Sequence, residues 1–398
     1  MKSHTFSNVL QRIFYIIANE YDTFYQKKKV VNKMKVLTLT AKCGMGHFQC
    51  AKAIEEQIKK DFYLADVECV DIYEIKFDDK TELFYKCYNI IVESGNLLYN
   101  LAYKKITKNN QNPALSKIMS KILLDDFSRF IESKNPDIVI STYSFTSQLM
   151  SLYKEKTGSQ IPLITWITDV KPHNGWVNFN TDKYIIADEV TKKELQKLGI
   201  DVNKIKIGGI PISNKFDFEI SKNKNNKKNI LVMGGGLGLL PKKMKFYEKL
   251  ASLPDVEVTI VTGKNKKLYH KLIDKFPTLN ILGYVNNIDY LMQNSDILLT
   301  KAGGVTTFEA IYNETPMIVF KPFLEQEVHN AEYISNKEIG YVLPSKMKRC
   351  QKDIDLILEI VENDDLLEDM KYNIRKIKNG IDSNVLEETI LEESVQKC

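Results

Sequence analysis

The sequence has little that would tie it to a membrane span, a disulfide scaffold or a metal centre. No apolar run approaches the roughly 20 residues that cross a bilayer, so any membrane contact is predicted to be peripheral. Cysteine is sparse. Cys43, Cys50, Cys69, Cys87, Cys350 and Cys398 form no CxxC pair and no secretory signal is visible, so free thiols in a reducing cytoplasm are expected. The five histidines are scattered without ligand spacing, which argues against a structural zinc site. A strong charge of one sign is missing too. A net charge of +5 over 398 residues is too mild to point to nucleic acid. It suits a surface that meets anionic phosphates or anionic lipid heads, where each lysine adds about 1 kcal/mol of attraction. There is no internal repeat, and the chain carries no long low-complexity block.

What is present is a chain long enough for two domains, with 43% hydrophobic residues to fill ordinary cores. Val36–Thr40 is a short apolar run that ends in a glycine-rich turn. A helical pattern follows from His47 to Lys60, then a strand at Asp66–Ile72, which together make a βαβ opening. Helical spacing runs from about Thr81 to Arg129, broken near Asn109–Pro113. Strands are predicted at Asp137–Thr142, Leu163–Thr168, Lys183–Ala187 and Lys204–Ile207. The polar, basic stretch Ser221–Asn229 contains no apolar residue and reads as a solvated linker. A second alternating series then begins, with strands at Ile230–Met233, Val256–Val261, Asn280–Leu282, Asp296–Thr300 and Met317–Phe320. Two blocks of alternating strands and helices imply an α/β protein of two Rossmann-like, doubly wound parallel-sheet domains facing across a cleft. The expected division is an N-terminal extension at 1–34, a first domain at 35–214, a second at 215–365 and C-terminal helices at 366–398. Within the extension, Val9, Leu10, Ile13, Phe14, Ile16 and Ile17 recur at helical spacing ahead of Lys27–Lys29. That pattern fits an interfacial amphipathic helix. It equally fits a segment that precedes the first core strand, with Met34 as an alternative start.

Five segments carry candidate chemistry. In Ala41–Ala53, Gly44 and Gly46 stand where the first strand turns into a helix, so a ligand can approach the backbone and the helix N-terminus favours negative charge. His47 follows at the first turn, where it is a candidate proton acceptor or a residue that merely packs there. In Trp166–Trp176, Asp169, His173 and Trp176 lie in a loop after a strand, the position that lines active sites in open α/β sheets. Asp169 can orient a base or cap a turn. In Met233–Leu240, Gly235 and Gly236 belong to a glycine turn able to wrap a pyrophosphate with N–H groups. The segment lacks the lysine and hydroxyl residue of a Walker loop. In Thr300–Ala310, Gly304, Thr306 and Thr307 stand at a helix start that can hold a phosphate. Glu309 there can accept both hydroxyls of a ribose or serve only the helix end. In Lys321–Asn330, Gln326 and Glu327 offer hydrogen bonds to sugar hydroxyls, or form an acidic first turn that suits the helix dipole.

Taken together, these motifs resemble the monogalactosyldiacylglycerol synthase and processive diacylglycerol glucosyltransferase family, which is related to the lipid-II glucosaminyltransferase of peptidoglycan synthesis. The likeness spans about residue 35 to about residue 365, with the motifs in matching order and spacing. Residues 1–33 stand outside it. The resemblance implies a GT-B fold whose first lobe takes the acceptor and whose second takes a UDP-sugar. It implies inverting, single-displacement transfer of a hexose, glucose first and galactose as the alternative, onto diacylglycerol, with a polyprenyl-linked lipid as the other acceptor. By the same likeness His47 is the base, with Asp169 assisting. Gly46, His173 and Trp176 lie toward the acceptor. Gly235, Gly236, Gly304, Thr306 and Thr307 lie at the diphosphate, Glu309 holds the ribose, and Gln326 and Glu327 meet the sugar. No bound metal or other cofactor is expected. The partners implied are UDP-glucose or UDP-galactose, diacylglycerol and an anionic membrane surface, on the cytoplasmic side of the membrane and peripheral to it. Apolar residues beside Lys104 and Lys105, in Ile90–Ile106, suit insertion at such a surface, or a helix packed on its own sheet. A nucleotide-sugar epimerase of similar fold is the competing enzyme class, and a non-catalytic surface-binding protein is the competing non-enzyme.

Overall fold

The computed structural model describes residues 33–43, 45–77, 80–83, 85–86, 114–213, 227–322, 324–344 and 350–395, without the side chains of 114–122, 325, 326, 350 and 395. The expectations for the N-terminal amphipathic segment, Gly44, Ile90–Ile106 and the Gln326 side chain lie outside the described residues.

The first lobe runs β1 (Lys35–Thr40), α1 (Gly46–Asp61), β2 (Asp66–Asp71), the short α2 (Glu74–Phe77), α3 (Ala114–Lys134), β3 (Ile138–Ser141), α4 (Ser144–Thr157), β4 (Leu163–Trp166), β5 (Lys183–Ile186), α5 (Glu189–Lys197) and β6 (Ile205–Ile207). The second runs β7 (Lys228–Met233), α6 (Met244–Ala251), β8 (Val256–Val261), α7 (Lys266–Ile273), β9 (Asn280–Leu282), α8 (Ile288–Gln293), β10 (Ile297–Thr300), α9 (Gly304–Tyr312), β11 (Met317–Val319), α10 (Glu325–Asn336) and β12 (Gly340–Val342). Three helices follow: α11 (Cys350–Glu362), α12 (Asp364–Asn379) and α13 (Val385–Val395).

Strands such as IVIS, LITW and ILLT are buried at every position. Such unbroken apolar runs fit a parallel sheet covered by helices on both faces. Both sheets are six-stranded, in the orders β2-β1-β3-β4-β5-β6 and β12-β11-β10-β7-β8-β9. All of their pairings are parallel. Strand order reverses between β1 and β3 in the first sheet and between β7 and β10 in the second, and open α/β sheets bind ligands at the carboxyl ends beside such a reversal. Register keeps those ends level, with Leu39 opposite Ser141 and Thr300 opposite Met233.

Local chemistry sets the ends of the helices. The Asp188 carboxylate accepts from the Val190 and Thr191 N–H groups and so caps α5. Gly158, at φ 72°, ends α4 in the left-handed conformation. Three apolar clusters cover the faces of the first sheet. In the second lobe one cluster is local, while another draws in Cys50, Val170, Ala187 and Ile210 from the first lobe. The lobes therefore share a hydrophobic seam. The chain also crosses back at its end: Val385, Leu386, Ile390 and Leu391 of α13 pack with Val36 and Ile138 of the first sheet.

Candidate active site

The two strand reversals place two helix starts against each other. α1 begins after Met45, held at φ 68°, and α9 begins after Gly303. Neither helix has a side-chain cap. Their first N–H groups therefore have no partner within the helix and leave partial positive charge at each start. The approach is close: a Cβ on Gly46 would lie 3.5 Å from Val305 Cγ2, and one on Gly304 would lie 2.9 Å from the Thr168 carbonyl oxygen. Gly304 is thus needed for the lobes to meet.

His47 is on the first turn of α1, half-buried beside this gap. Its Nδ1 lies 3.0 Å from the Thr142 carbonyl oxygen and 2.7 Å from Thr168 Oγ1. A carbonyl only accepts, so Nδ1 carries the proton of the neutral ring and Nε2 keeps its lone pair. Burial holds the imidazole below its ordinary range, against the pull of the Asp169 carboxylate. The ring is therefore neutral near pH 7 and able to take a proton. Tyr143 and Trp176 flank it, with ring centroids 5.1 Å and 6.2 Å away.

Asp169 is buried, and its Oδ2 accepts from Trp176 Nε1 at 2.9 Å. The indole is 0% exposed, and its N–H holds Asp169 in place. His173 Nδ1 accepts from the Gly175 N–H at 3.0 Å, and burial likewise lowers the pKa of the His173 ring.

Across the gap, burial raises the Glu309 carboxyl to about 7, offset in part by the Thr306 hydroxyl that donates to it. The buried Cys50 thiol, pushed well up by burial, lies within electrostatic reach of both Glu309 and Asp169. Thr307 Oγ1 donates back to the Gly303 carbonyl at 2.8 Å, so its hydroxyl shapes the turn while the helix start itself faces the gap. The glycine turn after β7 is tight. Gly235 and Gly238 have φ values of 68° and 65°, and the Gly238 N–H donates to the Gly235 carbonyl. Asn330 Nδ2 donates to the Ala302 carbonyl at 3.0 Å and braces the entry to α9. Glu327 is buried and paired with Lys301 at 3.0 Å.

The structure thus brings His47, Asp169, Gly46, Gly304, Thr306 and Glu309 close to where the starts of α1 and α9 meet, with Gly235, Gly236 and Glu327 on the carboxyl edge of the second sheet. Sequence reasoning missed Thr142, Thr168 and Lys301. Thr142 acts through a backbone carbonyl, which no side-chain pattern announces. Lys301 carried a signal, a cation directly between a buried strand and a glycine pair. Among the described residues no group of three His, Cys, Asp or Glu could hold a metal ion, and no helix is long and apolar enough to cross a membrane.

Two parallel doubly wound lobes meeting in this way make a GT-B fold. The MurG crystal structure from Acinetobacter baumannii superposes with a TM-score of 0.59 at 14% identity, covering 92% of this chain and 100% of that one, a likeness of fold alone. Residues 47–212 match the model for monogalactosyldiacylglycerol (MGDG) synthase, and residues 229–385 match the glycosyltransferase family 28 C-terminal domain. The processive diacylglycerol beta-glucosyltransferases of Bacillus pumilus (strain SAFR-032) and Bacillus subtilis (strain 168) are 30% and 31% identical to this chain, over 90% of it and 95% of each of them. The chain belongs to the monogalactosyldiacylglycerol synthase and processive diacylglycerol glucosyltransferase family.

Proposed function

We propose that this glycosyltransferase moves a hexose, glucose first, from a UDP-sugar to diacylglycerol with inversion at the anomeric carbon, and that it can repeat the step on its own product. The observation that carries the reading is His47, its Nδ1 tied to the Thr142 carbonyl so that Nε2 keeps its lone pair, on the first turn of one of two uncapped helix starts that meet between the lobes. The acceptor oxygen bonds to the anomeric carbon as the bond from that carbon to the β-phosphate oxygen breaks. The acceptor proton passes to His47 Nε2, and the electron pair leaves with UDP. Asp169 stabilises the imidazolium that forms, since its charge already favours the protonated ring. The N-terminus of α9 offsets the charge growing on the diphosphate, so the transfer is proposed to need no resident metal or other cofactor. Glu309 accepts the ribose hydroxyls, and Gln326 and Glu327 address the sugar. The names of the relatives favour diacylglycerol as the acceptor and therefore a peripheral position at the cytoplasmic face of a membrane.

The test is to incubate the protein with diacylglycerol vesicles and radiolabelled UDP-glucose or UDP-galactose and to separate the lipids. Label in mono- and diglucosyl diacylglycerol is expected. Label only in an added polyprenyl lipid, or epimerised donor without labelled lipid, would sink the assignment. His47→Ala should lower transfer by about 100-fold or more while leaving UDP affinity within about twofold, because the base contacts the acceptor alone.

A further inference from the structure

Lys301 stands where β10 ends, on the carboxyl edge of the second sheet and beside the reversal of strand order. Its ammonium lies 3.0 Å from Glu327 Oε1. A Cβ built on Gly235 would lie 3.4 Å from Lys301 Cε, and one built on Gly303 would lie 3.7 Å from Lys301 Nζ. The side chain therefore spans from the glycine turn after β7 to the turn that starts α9. Its side chain is 28% exposed while that of Glu327 is only 6% exposed. Glu327 is sunk in the protein, while the lysine side chain keeps part of its surface exposed.

A pair like this is not explained by stability. Desolvating a carboxylate costs several kcal/mol, and an apolar pair of similar volume commonly serves a fold as well or better. Its place is informative instead. The two turns it touches are those that follow the strands flanking the reversal, where a diphosphate would sit. The α9 start supplies only partial charges. A leaving nucleoside diphosphate gains a full negative charge as the bond to the sugar breaks.

We propose that Lys301 is the fixed cation of the donor site: held by Glu327 against the Gly235 and Gly303 turns, its ammonium contacts the β-phosphate of the bound nucleoside diphosphate. Glu327 Oε1 anchors the ammonium, and Oε2 is left for a hydroxyl of the sugar. One ion pair then joins the two halves of the donor, so that the charge on the leaving group and the orientation of the sugar are set by the same two side chains. This assignment rests on the UDP-sugar reading above.

The experiment is calorimetric titration of the full chain with UDP and, separately, with uridine, which has no phosphate. Lys301→Met should weaken UDP binding about tenfold or more, about 1.4 kcal/mol at the lower bound. It should leave uridine binding within about twofold, since the base and ribose contacts are elsewhere. Lys301→Arg should keep most of the UDP affinity, because the charge is retained. The double variant Lys301→Met/Glu327→Gln separates charge on the phosphate from neutralisation of Glu327. If Lys301 faces the diphosphate, the double variant still binds UDP more weakly than wild type, because no cation contacts the phosphate. If it only neutralises Glu327, removing both charges restores wild-type affinity and overturns the proposal. The double variant also contains no unpaired buried carboxylate, so it reports even if Lys301→Met does not fold. Equal UDP affinity in wild type and Lys301→Met overturns the Lys301 assignment alone. Failure of the wild-type chain to bind UDP takes the donor-site reading down with it.

Discussion

Glu309 is the residue whose ionisation is placed to matter. Its carboxyl is raised to about 7 by burial, and a carboxylate accepts two ribose hydroxyls better than the neutral acid does. If the ionised form is the binding form, apparent affinity scales with its population. That population rises from about one tenth at pH 6 to about nine tenths at pH 8 for a group with a pKa near 7. The sign follows: a group that must lose a proton to bind makes binding stronger as pH rises through its pKa. UDP-glucose is the ligand to use, because its esterified diphosphate has no proton to lose in this range. Its dissociation constant, measured without acceptor, should fall about tenfold between pH 6 and pH 8. Glu309→Gln should bind more weakly at every pH and with a flat profile. A slope that survives in Glu309→Gln would assign the titration to another group and remove the ribose role with it. His47 does not compete for this assignment, since burial moves its titration downward, away from the raised range of Glu309.

The glycine turn after β7 makes the corresponding case for a whole element. Gly238 is at φ 65°, and a Cβ there would lie 1.8 Å from the Thr262 carbonyl oxygen, whereas a Cβ on Gly236 would meet nothing within 4 Å. Gly238→Ala should therefore cost about 2 kcal/mol or more, since both the backbone and the β8 end must shift. For a lobe of this size that corresponds to a melting temperature about 4–8 °C lower. Gly236→Ala should stay within about 0.5 kcal/mol of wild type. Equal effects in the two variants would mean that the turn is not the rigid cradle it is taken for. The same contrast marks what the sequence could reveal. A run of glycines after Met233 announced a turn, but MGGGLGLL does not say which glycine is pinned, because the pinning atom is a carbonyl some two dozen positions along the chain. Strands such as ILVM and VEVTIV were legible from apolar composition and length. β12, only Gly340–Val342, was not, since three residues carry no period and its strand character comes from pairing with β11. Of the site, His47 and Glu309 were readable as polar residues beside glycine turns. The bond from the Trp176 indole to Asp169 was not readable, because a loop sequence does not say which way its side chains fold.

The two lobes are tied by more than the gap between them. Lys337, just beyond α10, lies 2.8 Å from Asp188 Oδ2 in the first lobe. A partly exposed pair of this kind is worth at most about 1 kcal/mol, too little to fix the lobes by itself. The return of α13 is a stronger tie. Leu386 and Ile390 are 0% exposed and Val385 and Leu391 nearly so, all buried on the first sheet. Burying four such side chains is worth on the order of 6–12 kcal/mol as an upper bound, comparable to the whole stability of a typical domain. The first lobe is thus completed by residues that follow the second in the chain. Leu386→Ala, which leaves a cavity beneath β1 and β3, should cost about 2–5 kcal/mol, and that cost should fall on the lobe containing His47. Hydrogen exchange can locate it. The amides of β1 and β3 should lose protection in Leu386→Ala while those of β7 and β8 keep theirs, because among the described residues that side chain's cluster includes none from the second sheet. Loss confined to the second lobe, or protection unchanged in both, would show that α13 rests on the first sheet without holding it together.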